Sequence, residues 1–136
     1  MNGRANERKG GAGMGAMTQS LEDYLETIHV LIEEGHAAQV RDVARRLSVK
    51  MPSVVKAVRE LKNLGLAEQE PYGPIRLTEK GTRLARRVLG LHTLLRAFLV
   101  KLGVSRRTAD RDACLMEHIL SAETLDRIRT YTEKDR

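Results

Sequence analysis

The stretch between positions 41 and 65 carries two short amphipathic patterns joined by only four residues. Residues 41–47 have the spacing of one short helix, and a second helix is predicted from Pro52, whose missing N–H costs nothing in a first helical turn. Gly65 predicts its end. A short helix, a tight turn and a second helix form the helix-turn-helix pattern. The predicted inward positions are Val43, Ala44, Leu47, Val54, Val58 and Leu61.

The flanking segments extend this pattern to a winged helix-turn-helix. A first helix is predicted from an N-cap at Ser20 to about Glu34, with Gly35 as its stop. Val40 is predicted as a short strand. Residues 66–70 and 75–77 surround a Pro/Gly-rich turn, which predicts a β-hairpin, and a hairpin at this place is a wing.

The remaining sequence is predicted to be helical. A long helix from Glu79 to about Leu102 begins after an N-cap at Thr78 and carries a near-heptad apolar seam in which His92 is the only polar member. Gly103 ends it, and Ser105 and Ser121 are predicted to cap two further helices.

Composition agrees with a mainly α fold. Hydrophobic residues make up 41% of the chain but aromatic residues only 3%, so the core must be aliphatic.

We predict a disordered tail over residues 1–17, the winged helix-turn-helix over 18–78, and a long linking helix with a second helical domain over 79–136. The single cysteine excludes an intrachain disulfide, and no apolar run is long enough for a membrane span or a signal peptide. We therefore expect a cytoplasmic protein.

The charge and the helix-turn-helix together indicate a double-stranded DNA partner. Lys and Arg number 24 against 18 Asp and Glu, a balance that suits a polyanion. The second helix of such a motif enters the major groove with its N-terminal end on the bases. Its polar face is also typical of an ordinary solvated helix, and the hairpin and Pro52 favour DNA. The predicted DNA-binding residues are Lys50, Pro52, Ser53, Val55, Lys56, Arg59, Arg76 and Lys80.

A second cluster predicts a metal site. Cys114, Glu117 and His118 present a thiol, a carboxylate and an imidazole at positions i, i+3 and i+4, which share a face of a continuous helix. These groups are ligands of the Mn-to-Zn series. Taken singly, each has a plainer interpretation as a buried thiol, a solvated acid or a core histidine. The candidate partner ligands lie upstream, at Asp23, Glu26 and His92.

These residues resemble the iron- and manganese-dependent repressors of the DtxR/MntR family. The resemblance covers about Thr18 to Tyr131. It includes LEDYLETI at 21–28, the winged-helix stretch ending in LTEKG at 77–81, the His92 helix and ACLMEHILS at 113–121.

The resemblance implies a homodimer whose C-terminal helices form the subunit contact. It also implies an activating divalent ion bound between the DNA-binding and dimerisation regions. From the ligand types we expect Fe²⁺ or Mn²⁺ as the native ion, with Co²⁺, Ni²⁺ or Zn²⁺ as substitutes in vitro. The metal-bound dimer would bind a palindromic operator and repress metal-uptake genes. In manganese-type members, the positions of Asp23, Glu26, His92, Glu117 and His118 are metal ligands.

The sequence combines features of both branches of this family. Cys114 matches the iron-type branch, whereas Asp23 stands where that branch has methionine. Arg96 and Asp110 stand where the ancillary site of iron-type members has an acidic ligand and a histidine. That ancillary site is therefore expected to be lost, while a two-ion cluster of the manganese type remains an alternative.

Two other functions compete with a metal-dependent repressor. One is a winged-helix regulator gated by oxidation of Cys114 rather than by metal. The other is a zinc hydrolase, because Cys-x-x-Glu-His is similar to the H-x-x-E-H pattern of zinc peptidases. A peptidase needs a substrate cleft around its metal, which a chain this small and helical is not expected to form. We therefore predict no enzymatic activity, no organic substrate and no membrane partner.

Overall fold

The structure is a computed structural model that describes residues 17–134. The predicted disordered tail lies outside the described residues except for Met17, which packs half-buried against the first core. Within the described range the chain is mainly helical, as predicted. The helices are α1 (Gln19–Glu33), α2 (Val40–Leu47), α3 (Met51–Asn63), α4 (Glu79–Lys101), α5 (Arg106–Met116) and α6 (Ala122–Glu133), and the strands are β1 (Ala67–Gln69) and β2 (Ile75–Leu77).

Helix ends agree with the sequence at most positions. Gly35, Gly65 and Gly103 follow α1, α3 and α4 with φ of +88°, +76° and +106°, a region that costs glycine little. The N-cap prediction for α1 was wrong. Thr18 caps the helix by accepting the Leu21 N–H at 3.1 Å, so Ser20 lies inside the first turn.

The hairpin is confirmed as an antiparallel pair in the register Ala67 to Leu77, with Glu68 opposite Arg76. The predicted strand at Val40 was wrong, because Val40 is the first residue of α2. The extended pairing occurs two residues earlier, where Ile75 N–H donates to the Ala38 carbonyl at 2.8 Å. This bridge attaches the wing to the segment before α2.

The first compact unit, which ends at Ala85, has a mainly aliphatic core built from α1, α2, α3, the hairpin and the start of α4, and it also contains the buried Tyr24. Leu25, Ile28, Leu61 and Ile75 are almost fully buried. Each such side chain contributes roughly 1.5–3 kcal/mol through removal from water. This core fixes which faces of α1 and α3 remain exposed for function.

The second compact unit begins at Arg86, so the boundary falls within α4. Its core contains Leu95, Ala113 and Ile128, one residue from each of three helices. Ser105 and Ser121 cap α5 and α6 by accepting the N–H groups of Thr108 and Thr124. The domain division at residues 78 and 79 stays a prediction. None of the helices in the described range combines the length and apolar character needed to cross a bilayer.

Candidate metal centre and nucleic-acid interface

Helix α3 presents one buried face and one exposed face. Val54, Ala57, Val58 and Leu61 are buried in the first core. Pro52 is the second residue of the helix, one place later than predicted, and still within the turn where its missing N–H is tolerated. The predicted DNA-binding residues of this region are all exposed: Lys50, Pro52, Ser53, Val55, Lys56 and Arg59.

The N-terminal end of α3 is suited to a polyanion. Lys50 is the N-cap, no acidic residue lies in the first turn, and the helix dipole adds partial positive charge there. Val55 leaves 44% of its surface exposed, and an exposed aliphatic group on such a helix can contact a thymine methyl.

The wing brings two predicted phosphate contacts to the surface. Arg76 on β2 is exposed, with its guanidinium 3.8 Å from the exposed Glu70 carboxylate, a pair too solvated to hold it firmly. Lys80 is exposed in the first turn of α4. Tyr72, at the hairpin turn, was not among the residues predicted to bind DNA. Its side chain is fully exposed and its φ is +62°. The Pro71-Tyr72-Gly73-Pro74 turn was the available signal.

In the first unit, the two predicted carboxylate ligands lie on α1. Asp23 and Glu26 are both half-buried and three positions apart, so they share a side of the helix. Leu21, Leu25 and Ile28 occupy its buried face. His29, 4% exposed, was not singled out from the sequence.

In the second unit, His92 on α4 contacts acidic residues through both ring nitrogens. Its Nε2 lies 2.8 Å from Asp110 Oδ1 on α5, and its Nδ1 lies 3.6 Å from Glu117 Oε1. Arg96, one turn further along α4, donates to the same Asp110 oxygen at 3.1 Å. The hydrogen bond with His92, and then that from Arg96, lowers the pKa of Asp110 below its ordinary value.

Glu117 is the most deeply buried of the predicted metal ligands. Its side chain is 1% exposed, and its second oxygen lies 3.5 Å from His118 Nε2. The prediction that Cys114, Glu117 and His118 share one continuous helix was wrong, because α5 ends at Met116 and Glu117 is its C-cap. His118 N–H bonds three residues back, to Leu115, a tighter turn that still brings its ring to the Glu117 carboxylate.

The groups around Glu117 fit a divalent transition ion. A carboxylate buried to this degree is costly unless positive charge faces it, and here two imidazoles approach it, from His92 and from His118. His92 Nδ1 has no hydrogen-bond partner within residues 17–134. Carboxylate and imidazole are ligands that Mn²⁺ and Fe²⁺ accept. Cys114 is half-buried in the last turn of α5, and its role as a ligand stays a prediction.

Comparison with known proteins adds two family matches that together cover most of the chain. The iron dependent repressor N-terminal DNA binding domain matches residues 16–75. The iron dependent repressor metal binding and dimerisation domain matches residues 78–135.

Individual relatives agree with these matches. The chain is 44% identical to the transcriptional regulator MntR of Escherichia coli O6:H1, over 84% of this chain and 74% of that protein. It is 40% identical to an uncharacterised HTH-type transcriptional regulator of Methanocaldococcus jannaschii, over 87% of this chain and 96% of that protein.

The structure of the manganese regulator SloR has a TM-score of 0.74 and 28% identity, covering 85% of this chain and 54% of that one. This chain thus spans about half the length of that structure. All three proteins are named as regulators, so the prediction of a non-enzymatic protein is confirmed. The hydrolase and redox alternatives gain no support.

Proposed function

Because this chain belongs to the DtxR/MntR family of metal-dependent transcriptional repressors, we propose that it represses metal-uptake genes in response to Fe²⁺ or Mn²⁺. It acts in the cytoplasm as a homodimer on a palindromic operator. The observation that carries this proposal is the buried Glu117 carboxylate, whose two oxygens are each approached by an imidazole.

The proposed ligands come from both units. Asp23 and Glu26 belong to the unit that contains the DNA-binding helix. The other four belong to the unit matched by the dimerisation domain. When bound, the ion supplies the positive charge that lets these carboxylates and imidazoles share one site. The complete proposed ligand set is Asp23, Glu26, His92, Cys114, Glu117 and His118.

Because the proposed ligands come from both units, metal binding by these residues can switch DNA binding. Without positive charge between them, the carboxylates of Asp23, Glu26 and Glu117 repel one another. Once they are held together, the spacing of the two recognition helices in a dimer is fixed. Half-sites one helical turn apart, about 34 Å, require such a fixed spacing. A preference of roughly 1–3 kcal/mol for the DNA-competent arrangement is enough for an effector.

The DNA contacts divide by role. The exposed residues of α3 contact base edges, with Val55 against a thymine methyl and Lys56 and Arg59 towards acceptors. Arg76 and Lys80, in and beside the wing, contact phosphates and set the position of the protein on the duplex.

Cys114 tunes which ion is preferred. A thiolate favours the later ions of the series, and carboxylates favour Mn²⁺. Cys114→Glu is therefore expected to shift the preference towards Mn²⁺, measured as the ratio of Mn²⁺ to Fe²⁺ concentrations that give half-maximal operator binding. An unchanged ratio would contradict the role assigned to the thiol. Co²⁺, Ni²⁺ and Zn²⁺ are expected to substitute in vitro, since affinity rises along the series to Cu²⁺.

The decisive experiment is an operator gel shift, first with a chelator and then with each divalent ion. Wild-type protein is expected to bind the operator more tightly with metal than with chelator, and His118→Ala is expected to lose that response. His36→Ala is the matched control, because His36 is an exposed imidazole outside the proposed ligand set. Equal binding of wild-type protein with chelator and with metal would overturn the proposal.

A further inference from the structure

The side of the His92 ring that faces away from Glu117 is already occupied by two side chains of the same unit. Asp110 Oδ1 lies 2.8 Å from His92 Nε2, and the same oxygen accepts a hydrogen bond from Arg96 Nη1 at 3.1 Å. The three residues join α4 to α5. Neither Asp110 nor Arg96 belongs to the proposed ligand set.

The chemistry of this contact decides where the proton of a neutral His92 ring lies. An ionised carboxylate only accepts hydrogen bonds. Asp110 lies at hydrogen-bond distance from Nε2, whereas Glu117 at 3.6 Å is too far from Nδ1 for a hydrogen bond, so the single hydrogen of a neutral ring lies on the nitrogen that faces Asp110. The other nitrogen, Nδ1, then has a lone pair, and it is this nitrogen that lies 3.6 Å from Glu117 Oε1. Arg96 supports the ionised state of Asp110, because a guanidinium is always charged and only donates.

We propose that Asp110 is a positioning residue that holds His92 in the Nε2-protonated tautomer, with Arg96 fixing Asp110, so that Nδ1 is the nitrogen offered to the metal ion. A carboxylate behind a ligating histidine fixes its tautomer and ring orientation and raises its basicity. The part of this inference that concerns the ion rests on the proposed function, whereas the tautomer is a property of the metal-free protein.

A purely structural role for the Asp110 contact makes different predictions. If the contact only tied α4 to α5, its loss would lower stability without changing the tautomer. Asp110→Asn separates the two roles, because the amide keeps the size of the side chain but can face Nε2 with either a donor or an acceptor. Asp126→Asn is the matched control, since Asp126 is an exposed carboxylate on α6 of the same unit.

The first measurement uses metal-free protein labelled with ¹⁵N in histidine, studied by NMR in alkaline solution, where imidazoles are neutral. Wild-type protein and Asp126→Asn are expected to show His92 protonated only at Nε2, and Asp110→Asn is expected to show a mixture of tautomers. A wild-type His92 that is mixed or protonated at Nδ1 would overturn the inference without need of any variant.

The second measurement is a titration with Mn²⁺ or Co²⁺ alone. Asp110→Asn is expected to bind about 10- to 100-fold more weakly than wild type, Arg96→Ala is expected to weaken binding in the same direction, and Asp126→Asn should match wild type. Equal affinity of Asp110→Asn and wild type would overturn the positioning role. A wild-type protein that shows the expected tautomer but binds neither ion would instead overturn the proposed function and support the tautomer assignment.

Discussion

At Gly81, any side chain would be excluded by contact with neighbouring atoms rather than by the backbone conformation of the residue itself. A Cβ at this position would lie 2.0 Å from the Leu66 carbonyl oxygen, which also accepts the Thr78 N–H at 3.1 Å. The start of α4 therefore lies directly on the backbone that leads into β1. Only a residue without Cβ permits this approach.

Gly81→Ala is expected to lower the free energy of unfolding by roughly 1–3 kcal/mol, the usual cost of forcing extra atoms into a packed site. Gly90→Ala is the matched control within the same helix, because its Cβ would meet nothing within 4 Å. That change should raise stability by roughly 0.5–1 kcal/mol, since alanine is the better helix former. Urea denaturation of both variants measures the difference, and equal effects would contradict the close approach.

The sequence could predict residues whose role depends on local spacing, but not those whose role depends on distant partners. Gly103 and Ser105 were identified because a helix stop and an N-cap leave local patterns. The Asp110 contact with His92 joins residues 18 positions apart, so it depends on how α4 and α5 pack. For the same reason Gly81 gave no sign of its contact with Leu66.

Among the elements, α1 and α2 are joined at their ends by a surface ion pair. Arg46 donates to Glu34 at 3.0 Å, and this hydrogen bond is the main reason why the pKa of Glu34 lies below its ordinary value of 4.5. Desolvation opposes the shift, and the charges of Arg46 and His36 add to it. A depressed carboxylate pKa means that the stabilisation is present above the ordinary pKa and is lost as the pH falls through the lowered one.

Arg46→Ala should therefore raise the pKa of Glu34 towards its ordinary value, measured by following the Glu34 side-chain carboxyl ¹³C signal through an acid titration. The stability difference between this variant and wild type should shrink as the pH falls through the lowered pKa. Arg45→Ala is the control, because Arg45 pairs with Asp42 instead. A Glu34 pKa that is equal in wild type and Arg46→Ala would refute the assignment.

The proposed phosphate contact of the wing predicts how DNA affinity depends on salt concentration. If Arg76 contacts a phosphate, Arg76→Ala should weaken binding to all DNA sequences by similar factors and reduce the slope of log K against log salt by about 0.9. Fluorescence anisotropy with an operator and an unrelated duplex over a range of salt measures both effects. Arg129→Ala, on the exposed surface of α6, is expected to keep the wild-type slope, and the same slope in Arg76→Ala would exclude the phosphate contact.

At the level of helices and strands, the sequence was informative wherever periodicity and glycine signals agreed. The ends of α1, α3 and α4 fell where predicted. The errors arose where two local signals compete: Thr18 and Ser20 are both good N-caps, and Val40 suits a strand as well as a helix. No glycine marks the end of α5 before Glu117. The prediction that Cys114, Glu117 and His118 lie on one continuous helix was therefore wrong.

Over residues 17–134 the protein forms two units with separate cores, and the proposed function depends on a free-energy coupling between metal binding and DNA binding. Such coupling is reciprocal: the factor by which metal tightens operator binding must equal the factor by which operator tightens metal binding. Neither factor could be derived from the sequence, because each is a difference between two states of the same chain.

We expect Mn²⁺ to tighten operator binding by about 5- to 150-fold, and operator duplex to tighten Mn²⁺ binding by the same factor. Anisotropy titrations with and without Mn²⁺ give the first value, and Mn²⁺ titrations with and without operator give the second. A scrambled duplex should produce much weaker coupling, because it does not require the fixed spacing of two recognition helices. His118→Ala should bring both factors towards one together, since a single coupling energy underlies them. Factors of one for the wild-type protein in both titrations would mean that the ion does not control DNA binding.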